Sequence, residues 1–181
     1  MRPQVTGSCL NWIVFVLLGI LYNGIMIRFA QERDIPRILE LLVQVNMVHH
    51  VIRPDIFNGP ATKYSSEELS GMISRREDET IFVYVDDNER VLGYAMCQLQ
   101  QIVGDSIRTD IKTLYLDDLC VDEACRGRHI GRDLYLYVRD YARSVGCYNL
   151  TLNVWQGNDS ALAFYRRLGM KPQKYGMEEL L

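Results

Sequence analysis

The chain has only three histidines, and its five cysteines (Cys9, Cys97, Cys120, Cys125 and Cys147) are scattered without a Cys-x-x-Cys pair. That excludes the ligand clusters of zinc sites, so no metal is implied, and an odd set of thiols predicts a reducing, cytoplasmic setting. Neither the Walker A loop nor the three-glycine dinucleotide fingerprint occurs, which removes the two commonest phosphate cradles. Positive charge is not in excess, with 20 Lys and Arg against 23 Asp and Glu and a net charge of −3. A nucleic-acid binder would carry a broadly basic footprint, so no nucleic-acid partner is expected. There is no internal repeat and no low-complexity segment.

Long apolar runs are also missing. The longest, Leu10 to Tyr22, has 13 residues with Asn11 inside it, short of the roughly 20 needed to cross a bilayer. Only Arg2 precedes it and no Ala-x-Ala site follows, a poor match to an export signal. Three readings remain: membrane attachment, an extra helix packed on the domain or a partner, and a functional chain that begins at Met26. The last is adopted here, with residues 1–25 as an apolar extension and 26–181 as one domain. A content of 48% hydrophobic and 24% charged residues supports a single globular core.

Met26 to Ala30 reads as a first strand. Asp34 is a suitable helix cap, Pro36 fits the first turn, and Ile35, Ile38, Leu41, Leu42 and Val45 form an apolar stripe ending near His49. A proline-bounded loop to Pro60 follows, then Ser65 and Glu68 at capping-box spacing open a helix to about Arg75. Thr80 to Val85 and Val91 to Gln101 read as a hairpin about the polar turn Asp86 to Arg90. Leu114 to Val121 and Asn149 to Val154 are further strands, a helix runs between them, and a short helix face (Leu162, Tyr165, Leu168) precedes a last strand from Lys171 to Met177. The order is βααβββαβαβ.

The most informative stretch is Arg126-Gly127-Arg128-His129-Ile130-Gly131-Arg132, between the strand ending at Val121 and the apolar helical spacing of Ile130, Leu134, Tyr137, Val138, Tyr141 and Val145. A helix start leaves backbone amides without intrahelical acceptors at the positive end of the helix dipole. Two glycines allow close approach and three arginines add charge, so the turn suits a phosphate or diphosphate. The plain alternative is an ordinary strand-to-helix loop with solvated arginines.

This loop resembles the Arg/Gln-x-x-Gly-x-Gly/Ala signature of the GNAT superfamily of acyl-CoA-dependent N-acetyltransferases, with His129 in place of the middle glycine. Leu116-Asp117-Asp118-Leu119-Cys120-Val121 before it, and Asn158 with Ala163-Phe164-Tyr165-Arg166-Arg167-Leu168-Gly169 after it, match in order and spacing. The resemblance spans about residues 27–177. It implies a mixed α/β (α+β) fold: a central, mostly antiparallel sheet containing one splayed parallel pair, flanked by helices. It also implies acetyl-CoA as cosubstrate and direct transfer to a primary amine, on a small molecule or a peptide.

Site residues follow from the resemblance. The pantetheine arm would pair with the backbone at Leu119, Cys120 and Val121, the diphosphate would sit on 126–132, and Asn158 would contact CoA. Tyr165 matches the tyrosine that protonates the leaving thiolate; otherwise it is a core aromatic. Asp117 or Asp118 would take the amine proton, but neighbouring strand residues face opposite ways unless a bulge intervenes. Cys120 could be a nucleophile or, more ordinarily, a small buried hydrophobe. In the resembled fold the loop between the first two helices borders the acceptor pocket, making His50, Arg53, Asp55 and Phe57 substrate-binding candidates alongside Asp117. The other reading ties that loop to itself through Arg53 and Asp55. Tyrosine-rich helix surfaces are compatible with a homodimer. The rival functions are a non-catalytic acyl-CoA sensor on the same scaffold and a membrane-tethered interaction protein.

Overall fold

The computed structural model describes residues 20–22, 25–76 and 78–181. Six strands form one sheet in the order β1-β2-β3-β4-β5-β6: β1 (Ile20–Tyr22), β2 (Ile25–Phe29), β3 (Glu79–Val85), β4 (Val91–Gln101), β5 (Lys112–Val121) and β6 (Asn149–Thr151). The first four pairings are antiparallel, and β5 with β6 is parallel. Four helices flank the sheet: α1 (Ile35–Ile52), α2 (Ser66–Arg75), α3 (Ile130–Ser144) and α4 (Asp159–Arg167). Among the described residues no helix is long and apolar enough to cross a membrane. Of the apolar extension, Ile20–Tyr22 pairs with the edge of β2; residues 1–19 lie outside the described residues.

Strand alternation explains the layering. Ile81, Val83 and Val85 of β3 join Ile38, Leu41, Leu42, Leu69 and Ile73 in one core, against α1 and α2. Phe82 and Tyr84, the intervening residues, join Ile130, Leu134, Tyr137 and Val138 in a second core, against α3. A sheet covered on both faces needs apolar residues at successive positions, hence the nearly unbroken apolar runs of β3 and β4.

In β5 the alternation slips by one. Met96 pairs with Asp118 while Cys97 pairs with Leu116, so Asp117 is the extra residue of a β-bulge. Before the bulge Leu114 and Leu116 belong to the α3 core; after it Cys120 belongs to the α1 core and Leu119 and Val121 pack on the α3 side.

Local signals are obeyed at α2, where the Glu68 amide donates to Ser65 Oγ at 3.2 Å and the Ser65 amide to Glu68 Oε2 at 2.7 Å. At α1 the cap differs from expectation. The carboxylate of Asp34 is buried and accepts from Arg28, at 2.6 and 3.1 Å, and from the Gln31 amide at 2.8 Å, so it does not cap α1 with its side chain. The expected last strand, Lys171 to Met177, is absent: residues 170–181 form neither helix nor strand. The ladder partner such a strand would need ends early, because β6 stops at Thr151 rather than Val154, and Pro172 removes an amide donor.

Candidate active site

The early end of β6 makes the site. Pairing with β5 covers only Thr113, Leu114 and Tyr115, so from Leu116 to Val121 the edge of β5 that would face β6 has no strand partner. A cleft of about 1060 Å³ opens there, lined by Leu116, Asp117, Asp118 and Leu119 of β5 and by Leu152 to Gln156 beyond β6. Side chains of α1 and α4 close its flanks.

The bulge brings both aspartates to this cleft in different states. Asp117 Oδ2 accepts from Lys63 Nζ at 2.5 Å and from Tyr64 hydroxyl at 3.1 Å, so it is tied to the loop before α2. Asp118 accepts from the fully buried Tyr94 hydroxyl at 2.6 Å. Burial pushes its carboxyl up to about 6, with the neighbouring Asp117 charge adding to the rise and the Tyr94 hydrogen bond opposing it. Asp118 can therefore hold and release a proton near neutrality.

Tyr165 projects from α4 into the same cleft. Burial raises its phenol pKa, with the Asp118 charge contributing, so it stays protonated at neutral pH. Its hydroxyl has no hydrogen bond to any described residue, and its ring packs 6.1 Å from that of Tyr135. Asn158 also lines the cleft, and its Oδ1 caps α4, accepting from the Ala161 amide at 3.2 Å and from Ser160 Oγ at 3.1 Å. The thiol of Cys120 does not line the cleft. It is 4% exposed in the α1 core, lies 3.5 Å from the Leu41 carbonyl, and is pushed up to about 12 by burial. That is a core side chain rather than a nucleophile.

Beyond β5 the chain turns through residues 126–129 into α3. Gly127 has φ +80° and His129 φ +65°, so the histidine takes the left-handed conformation that a glycine adopts more readily. The amides of residues 127–132 find no hydrogen-bond acceptor among the described residues, whereas the next amide, Asp133, bonds to the His129 carbonyl at 3.0 Å. Arg126 Nε donates to the Val121 carbonyl at 3.3 Å, and Arg128, His129 and Arg132 are exposed. Ile130 is buried and anchors the turn in the α3 core. A Cβ at Gly131 would lie 3.4 Å from Val121 Cγ2 and 3.5 Å from Phe164 Cζ, an ordinary packing contact, so the start of α3 sits directly against β5 and α4. Unpartnered amides at a helix start, with cationic side chains beside them, are groups that could hold an anionic diphosphate.

The loop after α1 divides the acceptor candidates. Arg53 and Phe57 line the cleft, and His49 does as well. His50 does not: its Nδ1 shares a 2.7 Å hydrogen bond with the Phe57 carbonyl and so shapes the loop. Asp55 stays outside the cleft and grips Arg53 from the far side, at 2.6 to 3.1 Å. The segment is thus tied to itself through Arg53 and Asp55 and also borders the cleft. Lys63, Tyr64, Tyr94 and Trp155 were missed, as was the segment Gly176-Met177-Glu178, which lines the cleft. None carries a local motif; each arrives through long-range packing.

The chain belongs to the acetyltransferase (GNAT) family, whose model matches residues 45–170. It is similar to the solved structure of a mutant of the BH1408 protein from Bacillus halodurans, at 33% identity and a TM-score of 0.82, covering 86% of this chain and 99% of that one. The fold is shared with glucosamine-6-phosphate N-acetyltransferase from Arabidopsis thaliana, at 20% identity and a TM-score of 0.64, covering 86% of this chain and 97% of that one. It is likewise shared with an aminoglycoside acetyltransferase from an uncultured soil metagenomic sample, at 20% identity and a TM-score of 0.66, covering 88% and 97%.

Proposed function

We propose that this chain is an N-acetyltransferase that moves the acetyl group of acetyl-CoA onto a primary amine, on a small molecule or a peptide, by direct attack. The observation that carries the reading is a shared cleft: a carboxyl pushed up to about 6, Asp118, and a protonated phenol, Tyr165, line the same opening beside the unpaired edge of β5.

Acetyl-CoA would supply a thioester, an acyl group already joined to a good leaving group. Amides 127–132, with Arg126, Arg128, His129 and Arg132 alongside, would hold its diphosphate. Backbone groups at Leu119, Cys120 and Val121 would orient its arm, and a strand amide there would stabilise charge on the carbonyl oxygen. Asp118 takes a proton from the acceptor ammonium, giving a nucleophilic amine. The C–N bond forms as the C–S bond breaks, Tyr165 gives its proton to the departing sulfur, and the nitrogen loses its second proton to solvent or to the tyrosinate. Asp117, already paired with Lys63, fixes the loop before α2 against the cleft. The two low-identity enzymes of the same fold, which by name acetylate glucosamine-6-phosphate and aminoglycosides, are consistent with an amine acceptor.

The test is to incubate the full chain with acetyl-CoA and a panel of primary amines, following thiol release and identifying the product by mass. Acceptor-dependent thiol release with a matching N-acetyl product is expected. Tight CoA binding with no acceptor-dependent release across the panel would assign the scaffold to a sensor instead.

A further inference from the structure

The guanidinium of Arg53 presents two edges. One, through Nε and Nη2, is held by Asp55 two residues away and is thereby oriented. The other, through Nη1 and Nη2, faces the cleft and receives Glu178 at 2.8 and 3.1 Å, a carboxylate 125 residues distant in sequence. The segment that delivers Glu178 has no helix or strand, and its neighbours Tyr175 and Met177 are 81% and 92% exposed. The ion pair ties this segment to the cleft at an exposed position, a contact that solvent competes with readily. Apolar walls flank the same cation. Trp155 lies with its ring centroid 6.0 Å from the Arg53 guanidinium carbon, and Phe57 packs edge-on to Trp155 at 5.2 Å.

An oriented, forked cation with an aromatic wall, in the same cleft as the proton-accepting Asp118, is built to read an anion on a molecule whose amine reaches Asp118. We propose that Arg53 forms an anion subsite for the acceptor, that preferred acceptors carry a carboxylate or phosphate besides the primary amine, and that Glu178 holds the subsite in their absence. This rests on the transferase reading above and adds the substrate class. Fork-to-fork pairing with Glu178 suits a carboxylate, and a phosphate offers the same two oxygens.

The test uses matched acceptors, an amino acid against its amide and an amino sugar phosphate against the free amino sugar, with wild type, Arg53→Gln and Glu178→Gln. The wild type should favour the anionic member by about tenfold in kcat/KM, as the loss of one charged hydrogen-bonded pair implies; the pair with the larger ratio names the anion. Arg53→Gln should erase that preference, chiefly through KM. Glu178→Gln should lower KM for the anionic acceptor more than for its neutral partner, since it removes the internal competitor. Equal kcat/KM within both pairs, or a Glu178→Gln effect that is the same for all acceptors, overturns the proposal. Trp155 emission, with a Trp155→Phe control for the second tryptophan, reads binding without turnover. A saturable change with the anionic amine that disappears in Arg53→Gln supports the subsite even if no acceptor is acetylated, a result that would sink only the transferase reading; no change in the wild type overturns the subsite.

Discussion

Replacing Asp118 by asparagine should stabilise this protein and disable it at once. Burial raises the carboxyl from 3.8 to about 6, and at about 1.4 kcal/mol per unit that costs the folded state up to about 3 kcal/mol when the group is ionised. Because the folded pKa is the higher one, stability is fullest below about pH 4 and declines as pH rises through 6, the folded chain binding the proton more tightly than the unfolded one. Asparagine has no charge to bury, and its carbonyl can still accept the Tyr94 hydroxyl, bonded at 2.6 Å in the present structure. Since cleft water softens the burial of the charge, urea unfolding at pH 8 should show Asp118→Asn more stable by about 2 kcal/mol, with an unchanged m-value. At pH 4 the advantage should have largely vanished. Activity should move the opposite way: the wild-type to variant ratio of kcat/KM, in which ionisation of the acceptor cancels, should climb with an apparent pKa near 6 to a plateau of about 10². A variant no more stable than wild type at pH 8, or a ratio flat across pH 5 to 8, would refute the assignment of Asp118 as a buried proton acceptor.

Tyr94→Phe removes a hydrogen bond that lowers the Asp118 pKa, so the acidic limb of the wild-type pH–rate profile should shift upward in the variant; an unmoved limb would uncouple the two residues. Tyr165→Phe should cut turnover by about 10² while leaving acetyl-CoA affinity nearly intact, read by single-turnover kinetics and calorimetry. Gly93→Ala would place a methyl 2.8 Å from the Cys120 carbonyl oxygen on the neighbouring strand, and a loss of about 2 kcal/mol is expected in thermal or urea unfolding. Deleting residues 1–25 removes β1 and the first residue of β2 from the sheet edge but none of the cleft; the truncated chain should remain folded and bind CoA, as circular dichroism and titration would show.

Where pattern and packing act at short range, the chain was readable in advance. The capping box at Ser65 and Glu68, the apolar spacing from Ile130 through Val138, and the glycine-bearing turn between β5 and α3 each encode their structure locally. Lys171 to Met177 was misread because a strand exists only where another strand edge accepts it, and β6 has already separated from β5 by that point. The aspartate pair was ambiguous for a related reason. Alternation assigns Asp117 and Asp118 to opposite faces, and the bulge that overrides it is a property of the pairing between β4 and β5, not of either sequence alone. Lys63 and Glu178 reach the cleft from the loop before α2 and the segment after α4, Tyr94 reaches Asp118 from β4, and nothing in their immediate neighbours announces the destination.

The single surplus residue in β5 has a broader consequence. It works as a phase shifter: upstream of position 117 the even-numbered Leu114 and Leu116 face the α3 core, and downstream the odd-numbered Leu119 and Val121 take that side while Cys120 turns to the α1 core, so the strand's chemical end is decoded separately from its structural end. Substitutions that tune proton handling at 117 and 118 can accumulate without rewriting the hydrophobic code of residues 114 and 116. Shortening the strand by that one residue would leave Asp118 to Val121 on their present partners in β4 and remove only the doubled position opposite Met96 that sets two carboxylates side by side.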